Sequence, residues 1–137
     1  MRLICSIVSG PDPESPDWLA RYKLLINDGK TIVASPHKVY GPENNDIVLQ
    51  LRKREISKVV LEGMSASFCV EVHMRTLLEQ GFEVAVVKDA TAGAKHPDVG
   101  DGYQAALGNC GYMANAEFTT DEAVAGMASA RWLRPLV

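Results

Sequence analysis

The sequence has no apolar run long enough to cross a bilayer as a helix. A membrane partner is therefore not expected. It also has no basic excess: the formal net charge is -3, which argues against a broad nucleic-acid footprint. The one basic cluster, Arg52, Lys53 and Arg54, reads as a solvated helix face. Cysteine is sparse. Cys5, Cys69 and Cys110 are an odd number, without a CxxC pair or Cys/His metal spacing. That speaks against a disulfide framework and for a reduced, cytoplasmic setting. His37, His73 and His96 form no HxH or HxxxH pair, so no metal is expected. No GxGxxG or P-loop sequence appears, which leaves no nucleotide-type cofactor to expect and makes a flavodoxin-like ligand binder a poor fit. The N-terminal MRLICSIVSG has a short apolar run but lacks a small-residue cleavage pattern, and reads as a strand rather than a signal peptide.

What is present is an ordinary globular balance, 47% hydrophobic and 23% charged over 137 residues, which suits one domain spanning 1–137. Residues 3–8 (LICSIV) form an apolar strand, followed by the proline loop GPDPESPD. A helix is expected over 17–28, a strand over 31–35, a second proline loop, and a helix over 45–55. Then come strand 58–62, a helix over 66–80 stopped by Gly81, strand 83–88, a helix over 100–110, a weak strand at 117–119 and a closing helix over 121–129. The inner strands are apolar throughout rather than alternating. That pattern calls for an α/β fold, three layers deep, with a mostly parallel sheet of about five strands covered by helices on both faces. The apolar tail ARWLRPLV suggests docking on the body or on a partner chain.

Ligands of open α/β sheets bind beyond the carboxyl ends of the strands. The turn GMSASFCV follows strand 58–62, and Cys69 falls near the start of the next helix. A helix N-terminus favours a thiolate and offers amides to an oxyanion. A lone cysteine in apolar surroundings is also, commonly, a small core residue, and position alone does not choose between the two. Lys38 follows strand 31–35 and projects from the same end of the sheet; it reads as a supporting cation or as a surface lysine. His73 lies one helical turn after Cys69, so a Cys–His pair is a weaker alternative to Cys69 with Lys38. Asp89 ends a strand and reads as a cap or a ligand contact.

The run VVLEGMSASFCVEVHMRTLLEQGFEVAVVKDATAG, with Gly63, Cys69-Val70, Gly81-Phe82 and Asp89-Ala90 in register, resembles the signature region of the isochorismatase-like hydrolases. The resemblance extends over about residues 30–127, and Lys38 falls where that family's lysine would sit. It implies a Rossmann-like fold and a cysteine hydrolase of the amidase and nicotinamidase-related branch. Such an enzyme acts on a small amide, urea-like or ester substrate through a covalent acyl-enzyme on Cys69. It also implies a non-proline cis peptide at Met64-Ser65 or its neighbour, with Met64, Ser65 and Ala66 forming the oxyanion turn. The family's nicotinamidase metal motif is absent.

The sequence departs from the family at the first strand. LICSIVS carries no Asp and resembles the family's second strand, so the usual first strand and its catalytic Asp are expected to be missing. Asp12 and Asp17 are the candidate surrogate bases. The alternative is a catalytically impaired member that binds a small ligand or acts as an oligomeric structural protein. A sheet short of one strand leaves apolar surface and an edge to cover, so a homo-oligomer is expected.

Overall fold

The computed structural model describes residues 7–9, 20, 23–24, 27–34 and 41–128. Cys5, Asp12, Asp17, His37, Lys38, most of the helix expected over 17–28 and the tail from 129 onward lie outside the described residues. The chain divides into two compact units, Met1–Glu55 and Ile56–Val137.

In the first unit β1 (Ile7–Ser9) and β2 (Ile32–Ala34) pair in parallel, Val8 opposite Val33. The turn before β2 is built by Asp28, whose carboxylate accepts the amides of Lys30 (2.8 Å) and Thr31 (2.6 Å). A short 3-10 turn, Pro42–Asn44, leads to helix α1 (Ile47–Lys53), which buries Ile47 and Leu51. Asn45 opens α1 by accepting the Ile47 amide at 3.0 Å.

The second unit is a three-stranded parallel sheet in the order β3 (Lys58–Met64), β4 (Glu83–Ala92), β7 (Ala116–Phe118). β4 is central, and Val84, Ala85, Val86 and Val87 are at most 1% exposed. Its continuous apolar run is the sequence of a strand covered on both faces. Burial of each such valine contributes about 1.5–3 kcal/mol. Helices α2 (Glu71–Glu79), α3 (Gly102–Met113) and α4 (Thr120–Ala128) all pack on β4. Met74 and Leu77 of α2 are fully buried.

The helix ends follow from their residues. α2 stops at Gly81, whose φ of 84° suits glycine; the Gly81 amide donates to Leu78 O (2.9 Å) and the Phe82 amide to Leu77 O (3.0 Å). This is a Schellman closure, sealed by buried Phe82. α4 opens with a capping box: Thr119 Oγ1 accepts the Glu122 amide, and Glu122 Oε2 accepts the Thr119 amide at 2.8 Å. These bonds hold the Glu122 carboxyl below the usual range.

The strand–helix alternation therefore yields the expected α/β class with parallel strands. Two differences are local. β4 runs on to Ala92, and a small antiparallel hairpin, β5 (Lys95–His96) with β6 (Gly100–Asp101), follows where no element was expected up to residue 99, so the helix expected from residue 100 begins at Gly102. The helix expected from residue 66 begins as a π turn, Ala66–Val70, before becoming α2. Among the described residues, no helix is long and apolar enough to cross a membrane.

Candidate active site

The next-to-last residue of β3 is Gly63, which has φ of 126° with open space around its Cβ position, so the backbone angle, not crowding, requires glycine. The peptide bond that leaves the strand, Met64–Ser65, is cis. Ser65 is extended, and its carbonyl accepts amides from both Phe68 (3.1 Å) and Val70 (3.2 Å). The second of these bonds spans five residues and defines the π turn. Such turns are rare and concentrate at functional sites. Ala66 (1% exposed) and Val70 (4%) anchor the turn in the core. Cys69 is left half-buried, beside the exposed Phe68 and Met64.

His73 is buried, and its Nδ1 donates to the carbonyl oxygen of Cys69 at 2.7 Å. A carbonyl only accepts, so the proton sits on Nδ1 and that nitrogen serves the helix backbone. The Cys–His spacing in the sequence thus reports a backbone anchor for the turn. Cys110, the other described cysteine, is 2% exposed on α3. Burial pushes its thiol up from the ordinary value, and the carboxylates of Glu117 and Glu71 push the same way.

The wall beside the Cys69 turn is built by glycines. A Cβ on Gly102 would lie 2.8 Å from Ser67 Oγ and 3.0 Å from Ala94 O, and the Gly102 amide donates to that same carbonyl at 3.0 Å. A Cβ on Gly93 would meet the Tyr103 backbone at 2.8 Å. Lys95 and Asp101 pair at 3.0 Å across the hairpin, and Asp101 also caps α3 by accepting the amides of Tyr103 and Gln104. The Lys95 ammonium, with these amides, holds the Asp101 carboxyl below the usual range. The residues around them, Thr91, Gly93, Lys95, Asp101, Tyr103 and Gln104, line an open depression of about 340 Å³. Cys69 is not among its lining residues. The hydroxyls of Thr91 and Tyr103 are committed to the carbonyls of Val87 (2.8 Å) and Lys88 (3.0 Å).

Met64, Ser65, Ala66 and Cys69 are therefore one continuous feature of the structure. Lys38, Asp12 and Asp17 lie outside the described residues. Asp89 serves the fold, since its Oδ1 accepts the amide (2.7 Å) and hydroxyl (2.9 Å) of Thr120 at the start of α4. Sequence reasoning missed the Ser67–Gly102 contact and the Asp101 cap. The Asp-Gly pair opening a helix was the available signal for the latter. Among the described residues, no group of three His, Cys, Asp or Glu side chains is placed to hold a metal ion.

Residues 10–122 match the model of a family described as the isochorismatase domain. Solved structures share the fold. A cysteine hydrolase from Pseudomonas syringae pv. phaseolicola 1448A aligns with a TM-score of 0.70 at 19% identity, covering 90% of this chain and 71% of that one. A nicotinamidase from Bacillus subtilis aligns with a TM-score of 0.65 at 17% identity, covering 84% and 74%. An isochorismatase-like hydrolase from Alkaliphilus metalliredigens gives 0.62 at 20% identity, covering 71% of this chain and 50% of that one, so the alignment spans half the length of that relative. No curated protein matches the sequence.

Proposed function

The chain belongs to the isochorismatase domain family, and from that premise we propose that it is a hydrolase of a small amide, urea-like or ester substrate, with Cys69 as nucleophile. The observation that carries this reading is the half-buried cysteine held in a π turn directly after the cis Met64–Ser65 bond. In the proposed reaction the Cys69 thiolate attacks the substrate carbonyl carbon. The carbonyl π electrons move to oxygen, and amides of the Met64-Ser65-Ala66 turn receive that charge. Collapse of the tetrahedral intermediate breaks the bond to the leaving amine or alcohol, which departs with a proton. Water then attacks the thioester, releasing the acid and regenerating the thiol. Lys38 is proposed as the supporting cation and Asp12 or Asp17 as the base, with the chain acting as one domain on a cytoplasmic small molecule.

Support comes from the family match and from the fold neighbours, which include proteins described as a cysteine hydrolase and a nicotinamidase. A second reading, a family member that has lost turnover, rests on one feature: the apolar segment LICSIVS carries no carboxylate. A screen of small amides, ureas and esters separates the two. Turnover that falls at least about a hundredfold in Cys69→Ala, and strongly in Lys38→Ala, is expected. Turnover that persists in Cys69→Ala contradicts the nucleophile assignment, and no turnover across the panel favours the second reading.

A further inference from the structure

β3 and β4 are adjacent parallel strands of similar composition, yet they are buried very differently. Val84 to Val87 of β4 are closed to solvent, whereas Val59, Val60 and Leu61 of β3 are only half-buried. Among the described residues β3 pairs with β4 alone, which leaves its other edge without a strand. Apolar β-branched edges of this kind are normally shielded, because their open amides and carbonyls recruit another strand.

The sequence of this edge is self-complementary. Read from the centre at Val60, residues 56–64 (ISKVVLEGM) place Val59 against Leu61, Lys58 against Glu62, Ser57 against Gly63 and Ile56 against Met64. In an antiparallel pair of two identical strands about a two-fold axis, these are the residues that stand directly opposite. Apolar meets apolar, small meets small, and lysine meets glutamate twice. A shift of one residue in either direction sets Lys58 against Leu61 or Glu62 against Val59 instead. Lys58 pairs with Glu83 of β4 at 2.8 Å. Glu62 is exposed and makes no hydrogen bond or ion pair among the described residues, and Met64 is 75% exposed at the strand's end. The ladder against β4 changes register between Leu61 and Gly63, where β4 advances from Val86 to Thr91 and Gly63 takes a positive φ, so the regular part of β3 is its first four residues, from Lys58 to Leu61.

We propose that the open edge of β3 is a homodimer interface, at which β3 pairs antiparallel with β3 of a second copy, centred on Val60, with Lys58 of each copy facing Glu62 of the other. The occupant is a second copy because the charge pattern is complementary to its own reverse. This surface is independent of whether Cys69 is reactive.

The test is sedimentation of the full chain at micromolar concentration, with circular dichroism as a check of folding. The wild type is expected to dimerise. Glu62→Lys and Lys58→Glu each place two like-charge pairs across the axis, and each alone is expected to weaken the dimer on the order of tenfold. An equimolar mixture of the two variants restores both pairs with opposite charges, so it should dimerise again as a heterodimer. In the wild type, amide exchange over residues 58–62 should slow as concentration rises. A monomeric wild type, a dimer indifferent to both substitutions, or a mixture that fails to recover would each overturn the proposal; a monomer with protected 58–62 amides would show that the chain's own remaining segments cover β3.

Discussion

Two cysteines of the second unit lie in opposite surroundings. Cys69 is half-buried in a π turn at the end of β3, next to exposed Phe68. Cys110 is sealed inside α3, where burial and two carboxylates disfavour its thiolate. The same side chain is thus offered for chemistry at one place and withheld at the other. The backbone differs between them: Cys69 lies in the turn whose Ser65 carbonyl accepts two amides, while Cys110 lies within a regular helix. Exposure and turn geometry, not residue type, mark the candidate nucleophile.

The strongest way to break this contrast is to move the Cys69 turn without touching its cysteine. Gly102→Val places carbon against Ser67 Oγ and the Ala94 carbonyl, where even a Cβ is too close. We expect about 1–3 kcal/mol loss of stability by chemical denaturation and a drop in any turnover. Gly108→Val, on the same helix with open space at its Cβ position, is the control and should leave turnover near wild type. A smaller effect is expected in labelling. Iodoacetamide should modify Cys69 in the folded protein at least about tenfold faster than Cys110, read by peptide mass spectrometry, and denaturant should erase the difference. Equal rates in the native state would remove the contrast altogether.

The smallest effect is in pH dependence. The folded state raises the Cys110 thiol above its ordinary value of 9.0, so the folded state holds that proton more tightly than the unfolded chain. The associated stability is fully present below the ordinary thiol value and is lost as pH rises through the raised one. Urea midpoints should therefore decline at alkaline pH, and Cys110→Ala should flatten that part of the decline.

Much of the fold is legible in the sequence because it rests on local rules. The apolar runs VVL and VAVV become β3 and β4, Gly81 stops α2, and the strand–helix alternation gives a parallel sheet. The hairpin at 95–101 was not legible, because its strands are two residues long and almost wholly exposed, without an alternating pattern to read. The π turn was hidden for a different reason. Its sequence, ASFCV, suits an α-helix equally well, and the extra residue shows only in the Val70 amide's bond to the Ser65 carbonyl. At the site, spacing alone left Cys69 open between a nucleophile and a small core residue, and the resemblance to the family singled it out. The role of His73 was not, since a histidine four residues on from a cysteine looks the same whether it faces the thiol or the backbone carbonyl.

Everything proposed for this site turns on whether Cys69 forms a covalent intermediate. The most direct measurement is acid quenching during turnover of a small ester or amide, followed by mass spectrometry of the Cys69 peptide. The acyl mass is expected on that peptide and on neither Cys5 nor Cys110. Turnover without any acyl mass on Cys69, and undiminished in Cys69→Ala, would contradict it.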